Sequence, residues 1–294
     1  MLGLVDKSWM IDLIDDGSAF DAHEVVEQER RDGEYAAYFG LGQSVRLLDR
    51  PRVFRLSPAG LALGAYLTKS FDDDLLRGRL LDLGTGSGAL AILLRGLGGS
   101  TIVATDISRE SVDAAAANEL VNYSTPQIEF CTSDVFAGLG QEHGKFDAIV
   151  FNPPGWRTPS PEVRKRLQAA DTDDDELDLS SMFYGDEVLL KFFYELPDHL
   201  HARGRAIVGM NSLIGIRDVI RRYKDGCGTA PGIRFKLVER HTFPLLLYTA
   251  RWVSSREILL DEFQRWSEAG VAAFTMDRKG RIYWSYEIVE CSIL

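Results

Sequence analysis

Residues 80 to 90 read LLDLGTGSGAL. Leu80, Leu81 and Leu83 around Asp82 make the short apolar run of a buried strand, and residues 89 to 94 open a helical pattern. Between them Gly84, Gly86 and Gly88 allow a tight turn and a close approach to a ligand, since glycine has no Cβ to obstruct either. A strand, a glycine turn and a helix start hold a nucleotide-like cofactor. The glycines leave its identity open, because Gly84, Gly86 and Ala89 also satisfy the loose G-x-G-x-x-A spacing of NAD-binding turns.

Outward from this turn, strand patterns at 79–83, 101–105, 128–132, 146–151 and 206–210 alternate with helical ones, including the alanine-rich 108–120 and 186–199. Alternation of this kind builds a mainly parallel sheet wrapped by helices. Two more strand patterns, 235–242 and 246–253, are joined only by Phe243-Pro244-Leu245, too short for a crossover, so if they pair they run antiparallel. The expected fold is α/β: a Rossmann-like, doubly wound sheet of seven strands, one of them antiparallel. Residues 4–39 read as a largely helical cap and 44–56 as a β-hairpin around Asp49-Arg50-Pro51-Arg52, followed by a helix led by Ser57-Pro58. After residue 253 come a helix with a Ser254/Glu257 capping box and a hairpin turning at residues 277–280, whose aromatic residues read as packing. The expected division is 1–56 cap and hairpin, 57–253 main domain, and 254–294 helix and hairpin extension.

The chain has 294 residues, with 33 Lys and Arg against 44 Asp and Glu, a net charge of −11. Such a surface does not attract phosphate backbones, which disfavours nucleic acid as a partner and favours neutral or cationic substrates. Cys131, Cys227 and Cys291 are far apart and form no C-x-x-C pair, so neither zinc nor a disulfide framework is implied. The five histidines show no metal spacing, and no metal is assigned. The N-terminal residues carry acids within their apolar stretch and show no cleavage pattern, and no run approaches membrane-spanning length. A cytoplasmic protein with no membrane contact is expected.

Ligands of parallel sheets collect at the carboxyl ends of the strands, where this sequence places Asp82, Asp106, Asp134 and Asn152. Asp106 lies 18 residues after Gly88, at the end of the second strand, where a carboxylate can accept both ribose hydroxyls. Three acids out of four suit a cationic cofactor better than a pyrophosphate, and S-adenosylmethionine carries a sulfonium and an ammonium. An amide or conjugated amine nitrogen is a poor nucleophile because its lone pair is delocalised. If Asn152 Oδ1 and the Pro153 carbonyl accept its N–H groups, they hold the nitrogen in place and favour pyramidal geometry as charge develops, with no strong base. Pro153 and Pro154 restrict φ and so fix the carbonyl direction.

LDLGTGSG, ATDIS, SDVF and FDAIVFNPPG, in this order within residues 53 to 253, resemble the class I S-adenosylmethionine-dependent methyltransferases, in the branch with an (Asn/Asp)-Pro-Pro-aromatic motif that includes glutamine and adenine amine methyltransferases. The resemblance implies cofactor contacts from Asp82, Gly84, Thr85, Gly86, Gly88, Asp106, Ile107, Asp134, Val135 and Asn152. Within these, Asp106 would bind ribose, and Asp134 or its neighbour the adenine amine. It implies a catalytic role for Asn152, Pro153 and Pro154. The branch usually has an aromatic residue directly after the prolines; this chain has Gly155 and then Trp156, which is expected to take the role of stacking on the substrate. The shifted aromatic, the acidity and the acidic stretch 171–178, read as a solvated loop or a negative flap, lead to one expectation. It is an N-methyltransferase acting on an amine, amide or guanidine nitrogen of a small molecule or amino-acid-like substrate, with cationic ones favoured. The alternative is a protein glutamine or RNA base, supported by Arg157, Arg164, Lys165 and Arg166.

Overall fold

The computed structural model describes residues 33–169, 179–228, 231–247 and 250–294; most of the expected helical cap and the acidic stretch 171–178 lie outside them. The described strands are β1 (Glu34–Gly40), β2 (Gln43–Leu48), β3 (Arg79–Leu83), β4 (Thr101–Asp106), β5 (Glu129–Thr132), β6 (Phe146–Phe151), β7 (Leu200–Asn211), β8 (Ile233–Pro244), β9 (Thr275–Met276) and β10 (Ile282–Ile293). The described α-helices are α1 (Pro58–Ser70), α2 (Asp73–Leu76), α3 (Ala89–Gly96), α4 (Arg109–Asn122), α5 (Pro161–Ala169), α6 (Gly185–His199), α7 (Ile216–Gly226), α8 (Ala250–Ser254) and α9 (Arg256–Glu268). None of them is long and apolar enough to cross a membrane.

The main sheet runs β5-β4-β3-β6-β7-β10-β8, with the two-residue β9 beside β10. β5, β4, β3, β6 and β7 run parallel to one another, and β10 runs antiparallel to both β7 and β8. This is an α/β sheet of the Rossmann-like kind, doubly wound, with both faces buried. Leu80, Ile102, Ala104, Ala148 and Val150 project into one core, whereas Leu81, Val103, Ile149, Phe151 and Val208 project into the other. Side chains alternate along a strand, so near-continuous apolar runs supply both faces. The first core is closed by the β1–β2 hairpin, α1 and α3, and the second by α6 and α7. A third core, of Trp156, Phe183, Trp252, Phe263 and Trp266, joins α9 to the loop after β6.

The antiparallel strand differs from expectation. Among the described residues of 246–253 there is no strand: α8 begins at Ala250, while Leu245 and Leu247 pack on the third core. The reversed strand is β10, so the C-terminal residues are an inner part of the sheet rather than an extension. Short apolar runs show which residues seek burial but not which partner buries them. The expected hairpin is also displaced. Its strands are β1 and β2, meeting at Gly40-Leu41-Gly42, where all three residues have positive φ (95°, 49° and 80°). Residues 34–39 therefore alternate as a strand, with Ala37 and Phe39 inward, instead of ending a helix. The last long helix, α9, has Ser255 as its N-cap, one residue beyond the expected cap Ser254, which ends α8.

Candidate active site

The cofactor half of the site is built by β3, β4 and β5. Gly84, Gly86 and Gly88 all have positive φ, and a Cβ on Gly88 would lie 2.8 Å from that of Ala115. This lets the start of α3 approach α4. Asp106 holds the turn: its Oδ2 accepts Gly86 N–H at 2.9 Å and its Oδ1 accepts Ser108 N–H at 2.9 Å. Each oxygen keeps a further lone pair. Burial raises the Asp106 carboxyl above the usual carboxylate range. Val135, at the end of the segment after β5, has φ 54°, an uncommon conformation for a β-branched residue. Ser133 secures it by donating its hydroxyl to the Val135 carbonyl at 2.6 Å.

A cavity of about 590 Å³ opens at the carboxyl ends of the strands, within the range of roughly 300–1,000 Å³ for small-ligand sites. Gly84, Thr85, Asp106 and Ile107 line it, as do Asp134, Val135 and the whole Asn152-Pro153-Pro154-Gly155-Trp156 segment. Asp82 does not line it. That carboxylate is buried beneath the turn, where Oδ2 accepts Thr85 Oγ1–H at 2.6 Å and Ala91 N–H at 3.0 Å. Its expected place among the cofactor contacts becomes that of a brace, because both bonds point into the protein. Gly86 and Gly88 likewise shape the turn rather than border the cavity. Asp134 is 57% exposed on its side chain and pairs with Lys191 of α6 at 2.7 Å.

The acceptor half is built by β6, β7, β10 and the end of β8. Asn152 Oδ1 accepts the hydroxyl of Tyr286, on β10, at 2.8 Å. To reach it the ring crosses β7 at Gly209, where any Cβ would come within 1.9 Å of the hydroxyl oxygen. Glycine is required there by close approach. Burial drives the Tyr286 pKa upward, so the hydroxyl remains a donor across the physiological range. Trp156 is 1% exposed, and its ring is packed at steep angles by Phe183 and Phe263, at centroid distances of 5.2 and 5.4 Å. Although it borders the cavity, at this burial and with this aromatic packing it acts as a core residue, which corrects its expected stacking on substrate. Arg157 is likewise held, paired to Asp218 at 2.6 Å and to the Ile214 carbonyl at 3.2 Å.

Tyr286, Gly209 and Asn211 belong to this half and were not marked by any motif. A glycine inside an apolar strand pattern and an asparagine at its carboxyl end were the available signals.

The buried brace has a pH signature. Desolvation pushes the Asp82 carboxyl up to about 7, against its two hydrogen bonds. Unfolded, it titrates near 3.9 or so. Between these values the unfolded chain releases a proton that the folded chain keeps, so folding loses stability as pH rises and the slope levels off above about 7. Melting temperatures between pH 4.5 and 8 should therefore fall more steeply for the native chain than for Asp82→Asn. Parallel curves would remove Asp82 as the titrating group.

Residues 46–166 match the family model described as the methyltransferase small domain. A Methanocaldococcus jannaschii protein named for protein N5-glutamine methyltransferase activity is 31% identical over 188 residues, 62% of this chain and 84% of its own. The release factor glutamine methyltransferase of Bacteroides thetaiotaomicron is 34% identical over 148 residues, 49% of this chain and 50% of its own. The ribosomal RNA small subunit methyltransferase C of Haemophilus influenzae is 33% identical over 113 residues, 38% of this chain and 32% of its own. These relatives are named for protein glutamine and ribosomal RNA, which overturns the expectation of a small-molecule acceptor with nucleic acid disfavoured: net charge describes the whole surface, not the chemistry at one cavity. With a relative of which the chain covers 84%, and with the glycine turn, Asp106 and Asn152 gathered at one cavity, this chain belongs to the class I S-adenosylmethionine-dependent methyltransferases.

Proposed function

We propose that the protein methylates the side-chain amide nitrogen of glutamine in a protein substrate. The observation that carries this reading is the hydrogen bond from Tyr286 to Asn152, which fixes the orientation of the Asn152 carboxamide at the cavity that Pro153 also lines. A glutamine amide has two N–H donors for two acceptors, Asn152 Oδ1 and the Pro153 carbonyl. The two relatives named for glutamine support the same chemistry.

The residues present fit S-adenosylmethionine. The Asp106 lone pairs left by Gly86 and Ser108 suit two ribose hydroxyls, and the open space beside Gly86 leaves room along the turn. Gly84 and Thr85 would flank the amino acid part, and Ile107, Asp134 and Val135 the adenine. When bound, the cofactor supplies a methyl group activated by its positive sulfur. The chain's own part is to orient the amide nitrogen. Asn152 Oδ1 and the Pro153 carbonyl accept its two N–H bonds, which turns the lone pair away from conjugation and stabilises the positive charge that grows on nitrogen. Pro153 and Pro154 keep the second acceptor in place. Tyr286 keeps the first.

The test is transfer of labelled methyl from S-adenosylmethionine to release-factor protein, ribosomal protein and ribosomal RNA, followed by hydrolysis and mass spectrometry. Label in N5-methylglutamine is the expected result. Label confined to nucleosides would overturn the reading in favour of an exocyclic base amine.

A further inference from the structure

Asn211 ends β7 on the acceptor side of the cavity and is 4% exposed. Its Oδ1 accepts the backbone N–H of Leu213 at 2.8 Å, which sets the orientation of the carboxamide. Nδ2 then lies on the Gly155 side: a Cβ built on Gly155 would be 2.9 Å from it and 3.3 Å from Met182 Cε. Asn211 thus occupies space that a larger residue after the two prolines would need. Among the described residues Nδ2 has no hydrogen-bond acceptor. Nδ2 keeps a little exposure where this largely buried residue lines the cavity, and a donor placed there is satisfied by water or by a ligand.

We infer that Asn211 Nδ2 donates to the carbonyl oxygen of the acceptor amide and so selects carboxamides. The inference rests on the glutamine reading and adds the group that recognises the other half of the amide. One donor, Asn211 Nδ2, stands at the same cavity as two acceptors, Asn152 Oδ1 and the Pro153 carbonyl. A carboxamide offers the complement, one carbonyl oxygen and one NH₂. An alkylammonium or a guanidinium offers only donors and would leave Nδ2 unpaired, and a site built around a polar partner rejects ligands that lack it.

The chain has four asparagines, Asn118, Asn122, Asn152 and Asn211, so protein labelled with ¹⁵N-asparagine gives a readily assigned set of side-chain NH₂ signals. The full chain, saturated with S-adenosylhomocysteine, is titrated with N-acetylglutamine methylamide, with the corresponding ornithine derivative and with adenosine. The glutamine derivative should move the Asn152 and Asn211 signals, and the ornithine derivative should leave Asn211 in place. Asn211→Asp keeps an oxygen for Leu213 but replaces the donor with an acceptor, and it should weaken glutamine binding by about tenfold or more. If the glutamine derivative moves Asn152 but not Asn211, and binds Asn211→Asp as tightly, the role of Asn211 is overturned while the glutamine reading stands. If adenosine moves Asn152 and the glutamine derivative moves neither signal, the glutamine reading fails and the inference with it.

Discussion

Asn152→Ala should lower methyl transfer by at least about a hundredfold, the scale seen when one preorganised hydrogen-bonding group is removed from developing charge. Affinity for S-adenosylmethionine should stay within a few fold, because the glycine turn and Asp106 stand at the ends of β3 and β4 whereas Asn152 follows β6 and is held from β10. Alanine removes the oxygen that Tyr286 holds and leaves the hydroxyl buried without its partner, so some loss of thermal stability accompanies the change. Tyr286→Phe separates the two effects. It keeps Asn152 but frees its carboxamide to rotate, and about a tenfold loss of turnover is expected, the scale of about one neutral hydrogen bond. Single-turnover rates together with calorimetric cofactor titration provide the measurement. Unchanged turnover in Asn152→Ala would end the assigned role.

Asp106→Ala should act on the other half, weakening S-adenosylmethionine by about a hundredfold, the loss of about 3 kcal/mol from hydrogen bonds to a charged acceptor. Two causes combine. The ribose hydroxyls lose their acceptor, and the glycine turn loses the two carboxylate bonds that tie Gly86 N–H and Ser108 N–H together. Asp106→Asn keeps one oxygen and the shape of the side chain, and it should fall between the native chain and the alanine variant. Calorimetric titration with S-adenosylmethionine measures both, and circular dichroism checks that the sheet remains formed. Retained affinity in Asp106→Ala would refute the ribose assignment.

The parallel part of the sheet was legible because each of its strands is a nearly continuous apolar run, bounded by polar or glycine residues and followed by a helical pattern. Residues 79–83 and 146–151 coincide with β3 and β6. The glycine turn and Asp106 were legible for the same local reason: backbone shape and a strand-end carboxylate are written within a few residues of each other. Misplacements arose where a partner was distant. The run at 246–253 has the apolarity of a strand, but β10 takes the inner position between β7 and β8. Trp156 has the composition of a stacking residue, and only the arrival of Phe183 and α9 packs it into the third core. Asp82 read as a cofactor contact until the depth of the turn above it was known.

The sequence by itself determined the α/β alternation, the glycine turn and the placing of Asn152-Pro153-Pro154 at a strand end, because hydrophobic period, glycine positions and proline restriction act over short distances along the chain. Tertiary structure alone decided what surrounds the acceptors. Tyr286 is 134 residues from Asn152, and its hydroxyl reaches Oδ1 only because β10 lies beside β7 and Gly209 leaves the path open. Asn211 meets Gly155 by the same strand packing. These are contacts across the sheet, set by which strand buries which, and no local pattern carries that information.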